Sequence, residues 1–333
     1  MTIVFLCTSF YPNIGGVEKH VFEVAKRLVR KGNKVVVITE GKHNLQEKVA
    51  GIKIYRFNFG EKSWIKKFKI WIKLWKYREL FKKTDIVHCH DVFFWYFPFR
   101  FLFLRKKVYT TFHGYETKFP IENKAIFIRK ISEKLSFGNI CVGDYIKKWY
   151  GTNPDYVTYG AIDKIQSSRS KNHKSSKLKI LFVGRIEKDM GVEIYAEALR
   201  LLKKYKFKFE ACGDGSMRNY LEKYGKVHGF VKNINSYILK SDVVFASSYL
   251  SILTAMRLRK PVFAVYSNPL KSDYLRKSPF AKWVTIEKSP ENLANEIKLI
   301  KRHNKKKIEL GYIWATKQTW ENLTNIYLRL YKQ

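Results

Sequence analysis

The stretch from Leu178 to Gly191, with ILFVGRIEKDMG at its heart, restricts the fold of this chain more than any other. Leu178-Lys179-Ile180-Leu181-Phe182-Val183 is a short, nearly continuous apolar run, the pattern of a parallel strand covered on both faces. Gly184 ends the run, Arg185 follows at the strand's carboxyl end, and a helix begins near Gly191. In an open α/β sheet that edge is where ligands bind, and a helix amino terminus aimed at the same crevice favours an anion such as a diphosphate. A plain βα turn with a surface arginine gives the same local pattern, so the rest of the chain has to decide.

The opening residues repeat the design. Thr2 to Ser9 reads as a buried strand and Tyr11 to Gly16 as a turn-rich loop, while Val17, Val21, Val24 and Leu28 recur at helical spacing up to Gly32. Lys34 to Thr39 supplies the next strand, which makes a βαβ unit with Gly15 and Gly16 where backbone N–H groups can approach a ligand closely. Strands follow at Asp85–His90, Lys107–Phe112, Asn139–Val142 and Tyr156–Tyr159, with His113 just past the second of these. Residues 166–177, QSSRSKNHKSSK, are wholly polar and read as a linker. Beyond the central strand come a helix from Val192 to Tyr205, a strand Phe207–Cys212, the turn Gly213-Asp214-Gly215, strands Val227–Val231 and Asp242–Ser247, a short helix Ser251–Leu258 and a strand Val262–Val265. Trp314 to Tyr331 closes the chain as a helical stretch with Trp320, Leu323, Tyr327 and Leu330 on one stripe. The alternation predicts an α/β protein of two Rossmann-like, doubly wound domains facing across a cleft, residues 1–165 and 178–313, with 314–333 as a terminal helix.

Sixty-five Lys and Arg against 28 acids give a net charge of +37, which calls for an anionic partner unless it is only a lysine-rich bias of composition. Disorder is excluded, because 46% of residues are apolar and 16% aromatic. Residues 61–83 hold nine basic and two acidic side chains, and on a helical wheel Trp64, Phe68, Trp71 and Trp75 oppose Lys66 and Lys73. That is the make-up of a helix lying on an anionic membrane surface, although a domain helix with an aromatic core face shares it. Phe93 to Leu104 is nearly all apolar, too short to span a bilayer, and reads either as an extension of such a patch or as a buried helix. No nucleic-acid reader motif is present, so specific nucleic-acid binding is not expected. Four widely spaced cysteines and the pair His88 and His90 make poor metal or disulfide frameworks. The first apolar run, Ile3 to Cys7, is too short for a signal peptide, so a cytoplasmic protein at the inner membrane face is expected.

Taken together, FYPNIGGVEKHV (Phe10 to Val21), DIVHCHD (Asp85 to Asp91), TTFHG (Thr110 to Gly114), ILFVGR (Ile180 to Arg185), GDG (Gly213 to Gly215), VHGFV (Val227 to Val231) and TAMRLRKPV (Thr254 to Val262) resemble, in order and spacing, the retaining GT-B-fold glycosyltransferases of family 4. The resemblance covers nearly the whole chain. It implies that Gly15 and Gly16 lie under a donor diphosphate, that His113 sits beside the donor sugar, that Arg185 neutralises the leaving nucleoside diphosphate, and that the terminal helix crosses back to the first domain. It further implies hexosyl transfer from a nucleotide sugar to a lipid-linked or glycan acceptor, with no metal or other cofactor. Gly213 and Thr254 fall in the donor-binding segments of the pattern.

The chain departs from that pattern at four points. Met190 stands where the family has a lysine, with Lys188 nearby. About four residues, including the first of two donor-binding glutamates, are missing around Ser247 to Thr254, and Thr254 replaces the second glutamate. Arg259 replaces a helix-ending glycine. The expected function is therefore a membrane-surface glycosyltransferase with an altered donor site, and the competing one is a catalytically silent scaffold or binding subunit.

Overall fold

The computed structural model of the chain describes residues 1–61, 65–114, 119–163, 177–300 and 305–333. These form two compact units, the first made of Met1–Thr158 with Trp320–Gln333 and the second of Tyr159–Thr319. The cut between Thr158 and Tyr159 lies before the boundary expected at 165, and nearly all of the expected linker lies outside the described residues.

The first unit runs β1 (Thr2–Cys7), α1 (Gly16–Arg30), β2 (Lys34–Glu40), β3 (Leu45–Val49), β4 (Ile52–Phe57), α2 (Lys66–Trp75), α3 (Arg78–Lys83), β5 (Ile86–His90), α4 (Phe93–Leu102), β6 (Lys107–Phe112), α5 (Asn123–Lys134), β7 (Gly138–Val142), α6 (Tyr145–Tyr150) and β8 (Tyr156–Thr158). Its sheet has the order β3-β4-β2-β1-β5-β6-β7-β8, parallel except for the β3–β4 hairpin. The chain winds outward from β1 and then resumes on its other side at β5, so the switch of direction lies between β1 and β5.

Alternation along the central strands decides what covers each face. Val4, Leu6 and Val87 pack with Ile70 and Leu74 of α2, Phe81 of α3 and Trp95 and Phe99 of α4. Phe5, His88 and His90 point the opposite way and meet the ring of Tyr327. Tyr327 belongs to α14 (Trp320–Tyr331), which the sequence places far away but the fold sets against α1. The expected single helix over 314–331 is two: a helix of the second unit ends at Lys317, and α14 starts at Trp320.

The second unit runs β9 (Leu178–Val183), α7 (Val192–Leu201), β10 (Phe207–Cys212), α8 (Arg218–Glu222), β11 (Gly225–Val227), α9 (Ile234–Lys240), β12 (Val243–Phe245), α10 (Tyr249–Arg257), β13 (Val262–Val265), α11 (Pro269–Arg276), β14 (Thr285–Glu287), α12 (Pro290–Lys298) and α13 (Lys305–Lys317). All six strands are parallel in the order β11-β10-β9-β12-β13-β14, and the switch lies between β9 and β12. Ile180 and Phe182 of β9 share a core with Tyr195 and Leu199 of α7 and Leu293 and Ile297 of α12, the burial on both faces that the apolar run of β9 demands. Ile162 and Thr319 form a parallel bridge, so the chain enters and leaves this unit side by side.

Candidate functional site

In the first unit the switch point gathers four histidines. His88 and His90 share one face of β5, His20 comes from the buried stripe of α1, and His113 follows β6. Their rings interlock: His88 stacks on His90 at 4.8 Å, and His20 meets His113 edge-on at 4.6 Å. His90 Nδ1 bonds His113 Nε2 at 2.9 Å, His88 Nε2 bonds Thr111 Oγ1 at 2.7 Å, and the hydroxyls of Tyr327 and Tyr331 reach His20 Nε2 at 2.8 Å and His88 Nδ1 at 2.9 Å. The backbone N–H of His113 donates to Asp91 Oδ1 at 3.0 Å. Asp91 itself is held at φ 60, a left-handed conformation that a short polar side chain tolerates.

Loss of water dominates the electrostatics of this cluster. Burial pushes His20, His88 and His90 well below the ordinary imidazole range, and mutual repulsion adds to the shift. His113 is lowered to about 3 by burial, by His88 and by Arg129. All four rings are therefore neutral near pH 7, a state in which His113 can offer hydrogen bonds but is a poor general acid or base. Both ring nitrogens of His88 and one each of His20, His90 and His113 are bonded to hydroxyls or to each other, while His90 Nε2 is buried without a hydrogen-bond partner; the described residues contain no group of three or more ligands able to hold a metal ion. Of the cluster, the sequence singles out only His88, His90 and His113; His20 appears there only inside the motif FYPNIGGVEKHV.

Gly15 caps α1 in extended backbone, which any residue adopts, so its small size is what matters. A Cβ built on it would stand 2.0 Å from Glu18 Oε2, because the Glu18 carboxylate folds back over the helix start. Gly16 opens the helix. The pair thus forms the amino terminus of α1, and the side chain folded over it is itself an anion, the Glu18 carboxylate.

In the second unit the corresponding edge is lined by charge. Arg185 follows β9 with its side chain half exposed, and its guanidinium donates to Asp189 at 2.9 Å. Gly213 and Gly215 serve close packing: a Cβ on Gly213 would lie 1.8 Å from the Gly184 carbonyl oxygen, and one on Gly215 2.4 Å from that of Ile186. Glu187 then locks the turn by accepting from the Ser216 N–H at 2.9 Å and from its hydroxyl, bonds that hold its carboxyl below the usual range. Thr254 lies on α10 and donates its hydroxyl to the Leu250 carbonyl at 2.7 Å, leaving only acceptor capacity for a ligand. Lys188 pairs with Glu193 at 3.7 Å and does not join Arg185. Lys271, which the sequence reading missed, does share the surroundings of Arg185 and Asp189.

The basic aromatic segment divides into α2 and α3, with Trp64 outside the described residues. Ile70 and Leu74 face the core, and Trp71 is turned inward, its indole N–H donating to the Phe94 carbonyl at 2.9 Å. Lys66 bonds Glu40 at 2.5 Å and Lys73 the Asn58 carbonyl, so these two cations are spent inside the unit. What remains outside is an apolar stripe of Ile65, Phe68, Ile72 and Trp75 with exposed Lys67, Lys69 and Lys76 beside it. Phe68 is 50%, Ile72 68% and Trp75 49% exposed, a degree no core position would show. No helix of the described residues is long and apolar enough to cross a membrane.

Comparison with known proteins follows this division. Residues 14–155 match the family described as Glycosyltransferase Family 4, and residues 163–313 match Glycosyl transferases group 1. An uncharacterized glycosyltransferase of Methanocaldococcus jannaschii is 27% identical over 259 residues, 67% of this chain and 65% of that protein. A human phosphatidylinositol N-acetylglucosaminyltransferase component is 28% identical over 98 residues, 27% of this chain, and the match spans only 20% of the human protein. Among solved structures, a glycosyltransferase from Rickettsia africae superposes with a TM-score of 0.76 at 19% identity, covering 99% of this chain and 97% of that one. HepE from Anabaena, solved with UDP and glucose, gives 0.75 at 14% identity and covers 99% and 98%.

Proposed function

The chain belongs to the group 1 glycosyltransferases, with a family 4 amino-terminal half and the GT-B architecture, and we propose from this that it moves a hexose-type sugar from a nucleotide-sugar donor to a lipid-linked or glycan acceptor at an anionic membrane surface. The observation that carries the reading is Arg185 at the switch point of the second sheet, half exposed with one carboxylate beside it. A guanidinium there neutralises the charge that grows on the diphosphate as the glycosidic bond breaks. Solved relatives of this fold hold UDP and glucose, which supports a donor of that class.

The reading includes retention of configuration, which the low basicity of His113 supports. A neutral imidazole lowered to about 3 gives the transferred sugar a hydrogen bond but takes no proton at neutral pH. Front-face attack, in which the departing phosphate oxygen receives the acceptor's proton, asks for no protein base. The acceptor side rests on the exposed stripe of α2, whose Phe68, Ile72 and Trp75 suit the headgroup boundary while Lys67, Lys69 and Lys76 suit anionic lipid.

One observation favours a second reading, a silent scaffold: Thr254 is already bonded within its own helix, and α10 carries no acidic residue. Calorimetric titration with uridine, guanosine and adenosine diphosphates and their sugars separates the two. One nucleotide is expected to bind saturably, and Arg185→Ala to weaken it by about tenfold or more, the worth of a charge-assisted contact. Absence of binding across the panel would overturn the enzyme reading in favour of the scaffold.

A further inference from the structure

Lys271 is the one lysine among the described residues whose side chain is out of water, at 1% exposure. It stands in the first turn of α11, whose start is fixed by Asn268 accepting the Lys271 N–H at 2.8 Å. Its ammonium lies 4.3 Å from the ring centroid of Tyr274, and that ring stacks on Tyr249 at 4.0 Å and 10°, at the beginning of α10. The turn holding Asp189 is pressed onto the end of β13, since a Cβ on Gly191 would lie 2.4 Å from Val265 Cγ2. Lys271 enters α11 just beyond that same end, so the turn brings Asp189 and Arg185 within electrostatic reach of its amino group.

The charges there do not balance. A buried cation needs a partner, yet Lys271 makes no ion pair among the described residues, and the one carboxylate within reach, Asp189, is already bonded to Arg185. Two cations share one carboxylate, which leaves a sheltered excess of positive charge at the carboxyl edge of the sheet. Lys188 does not supply this charge, being largely exposed and paired with Glu193, and Met190 is buried and neutral.

We propose that Lys271 is a second diphosphate-binding cation of the donor site, acting with Arg185. This rests on the reading of the second unit as a nucleotide-sugar site. The diphosphate completes the charge balance that the protein leaves open, and its arrival holds the amino group protonated. Burial and Arg185 lower the Lys271 amino group to about 8 against the opposing pull of Asp189, so the unliganded protein sheds this proton just above neutrality.

The test is calorimetric binding of inorganic pyrophosphate and the three nucleoside diphosphates to the full chain, at pH 7 and pH 9, for wild type, Lys271→Met, Lys271→Arg and Arg185→Ala. Lys271→Met is expected to weaken binding by about tenfold or more and Lys271→Arg by much less, because a charge-assisted contact is lost only in the first. Wild-type affinity is expected to fall from pH 7 to pH 9, and that fall to vanish in Lys271→Arg, which stays charged. The groups around Lys271 are the Arg185 guanidinium, the Asp189 carboxylate and the ring of Tyr274, whose hydroxyl accepts the Tyr249 N–H at 3.0 Å; these types do not account for a change between pH 7 and pH 9, and the arginine variant controls for the ligand's own ionisation. Methionine fills the same space without a buried charge, so Lys271→Met is expected to melt no lower than wild type. If no ligand binds wild type, the donor reading itself fails. If Lys271→Met binds as wild type does while Arg185→Ala does not, the Lys271 assignment alone is overturned. Should Lys271→Met fail to fold, identical pH responses in wild type and Lys271→Arg overturn it equally.

Discussion

His20, His88, His90 and His113 pay for their burial in protons, and the sign of that cost is set by the direction of their shifts. In the unfolded chain an imidazole takes up a proton below about pH 6.5, whereas in the fold these four stay neutral until far lower. The unfolded state therefore binds more protons than the native one between those limits, and stability falls as pH falls through that window. Each such histidine costs about 1.4 kcal/mol per pH unit once the unfolded state is charged. Denaturant unfolding followed from pH 7.5 to pH 5 is expected to show this loss, and His20→Gln, whose amide still reaches Tyr327, to flatten the slope by about one proton. A slope unchanged by that variant would mean that His20 is protonated in the fold. The sequence places His88 and His90 on one strand face, and the resemblance returns the terminal helix to the first domain, but neither joins these rings to His20 or to Tyr327, because the side-chain contacts of α14 leave no local pattern. Lys271 was invisible for the same reason: nothing in SNPLKSD distinguishes a buried lysine from a solvated one.

The end of α10 shows how an element tolerates a residue its geometry disfavours. Arg259 takes φ 55 just past the helix, where glycine is commonest because left-handed backbone costs other residues about 1–2 kcal/mol. Its side chain offsets part of this on α13, with two hydrogen bonds to Glu309 at 2.8 and 3.0 Å and a guanidinium 3.4 Å from the ring centroid of Tyr312. Arg259→Gly removes both the strain and the contacts, so a net change within about 1 kcal/mol is expected; Arg259→Ala keeps the strain and loses the contacts, so it is expected to be the least stable of the three. Thermal midpoints in any other order would show that the α13 contacts are negligible or that the strain is. The sequence flagged this arginine as an oddity without revealing its partners on α13. Strands buried on both faces, such as β1, β5 and β9, were legible as apolar runs, but β3, with the exposed sequence LQEKV at the sheet edge, carries no such signal. The amphipathic segment from 61 to 83 read as one helix, whereas the fold breaks it between Trp75 and Arg78 so that Phe81 can turn into the core.

A net charge of +37 belongs to the whole chain, and it makes retention on any polyanion uninformative by itself. General basicity and a built membrane surface differ in their salt dependence and in what removes them. Attraction by dispersed lysines acts over a Debye length of about 10 Å at 0.1 M salt and fades as salt rises, while insertion of apolar side chains into the headgroup boundary does not. Exchanging Phe68, Ile72 and Trp75 together for serine leaves every charge in place and removes only the exposed stripe of α2. If the stripe inserts, sedimentation with phosphatidylglycerol-containing vesicles is expected to retain the wild type at about 0.1 M salt, and to lose the triple variant by tenfold or more, since each buried side chain contributes about 1 kcal/mol or more. Trp71, held on Phe94 by its indole bond, serves as the internal control: its substitution is expected to disturb the packing of α2 on α4 without this charge-independent loss of lipid binding. Equal vesicle binding by wild type and triple variant, abolished in both by salt, would reduce the surface to its charge and remove the membrane from the proposed reaction. A salt-resistant difference between them would make α2 the element that delivers the enzyme to an acceptor embedded in lipid.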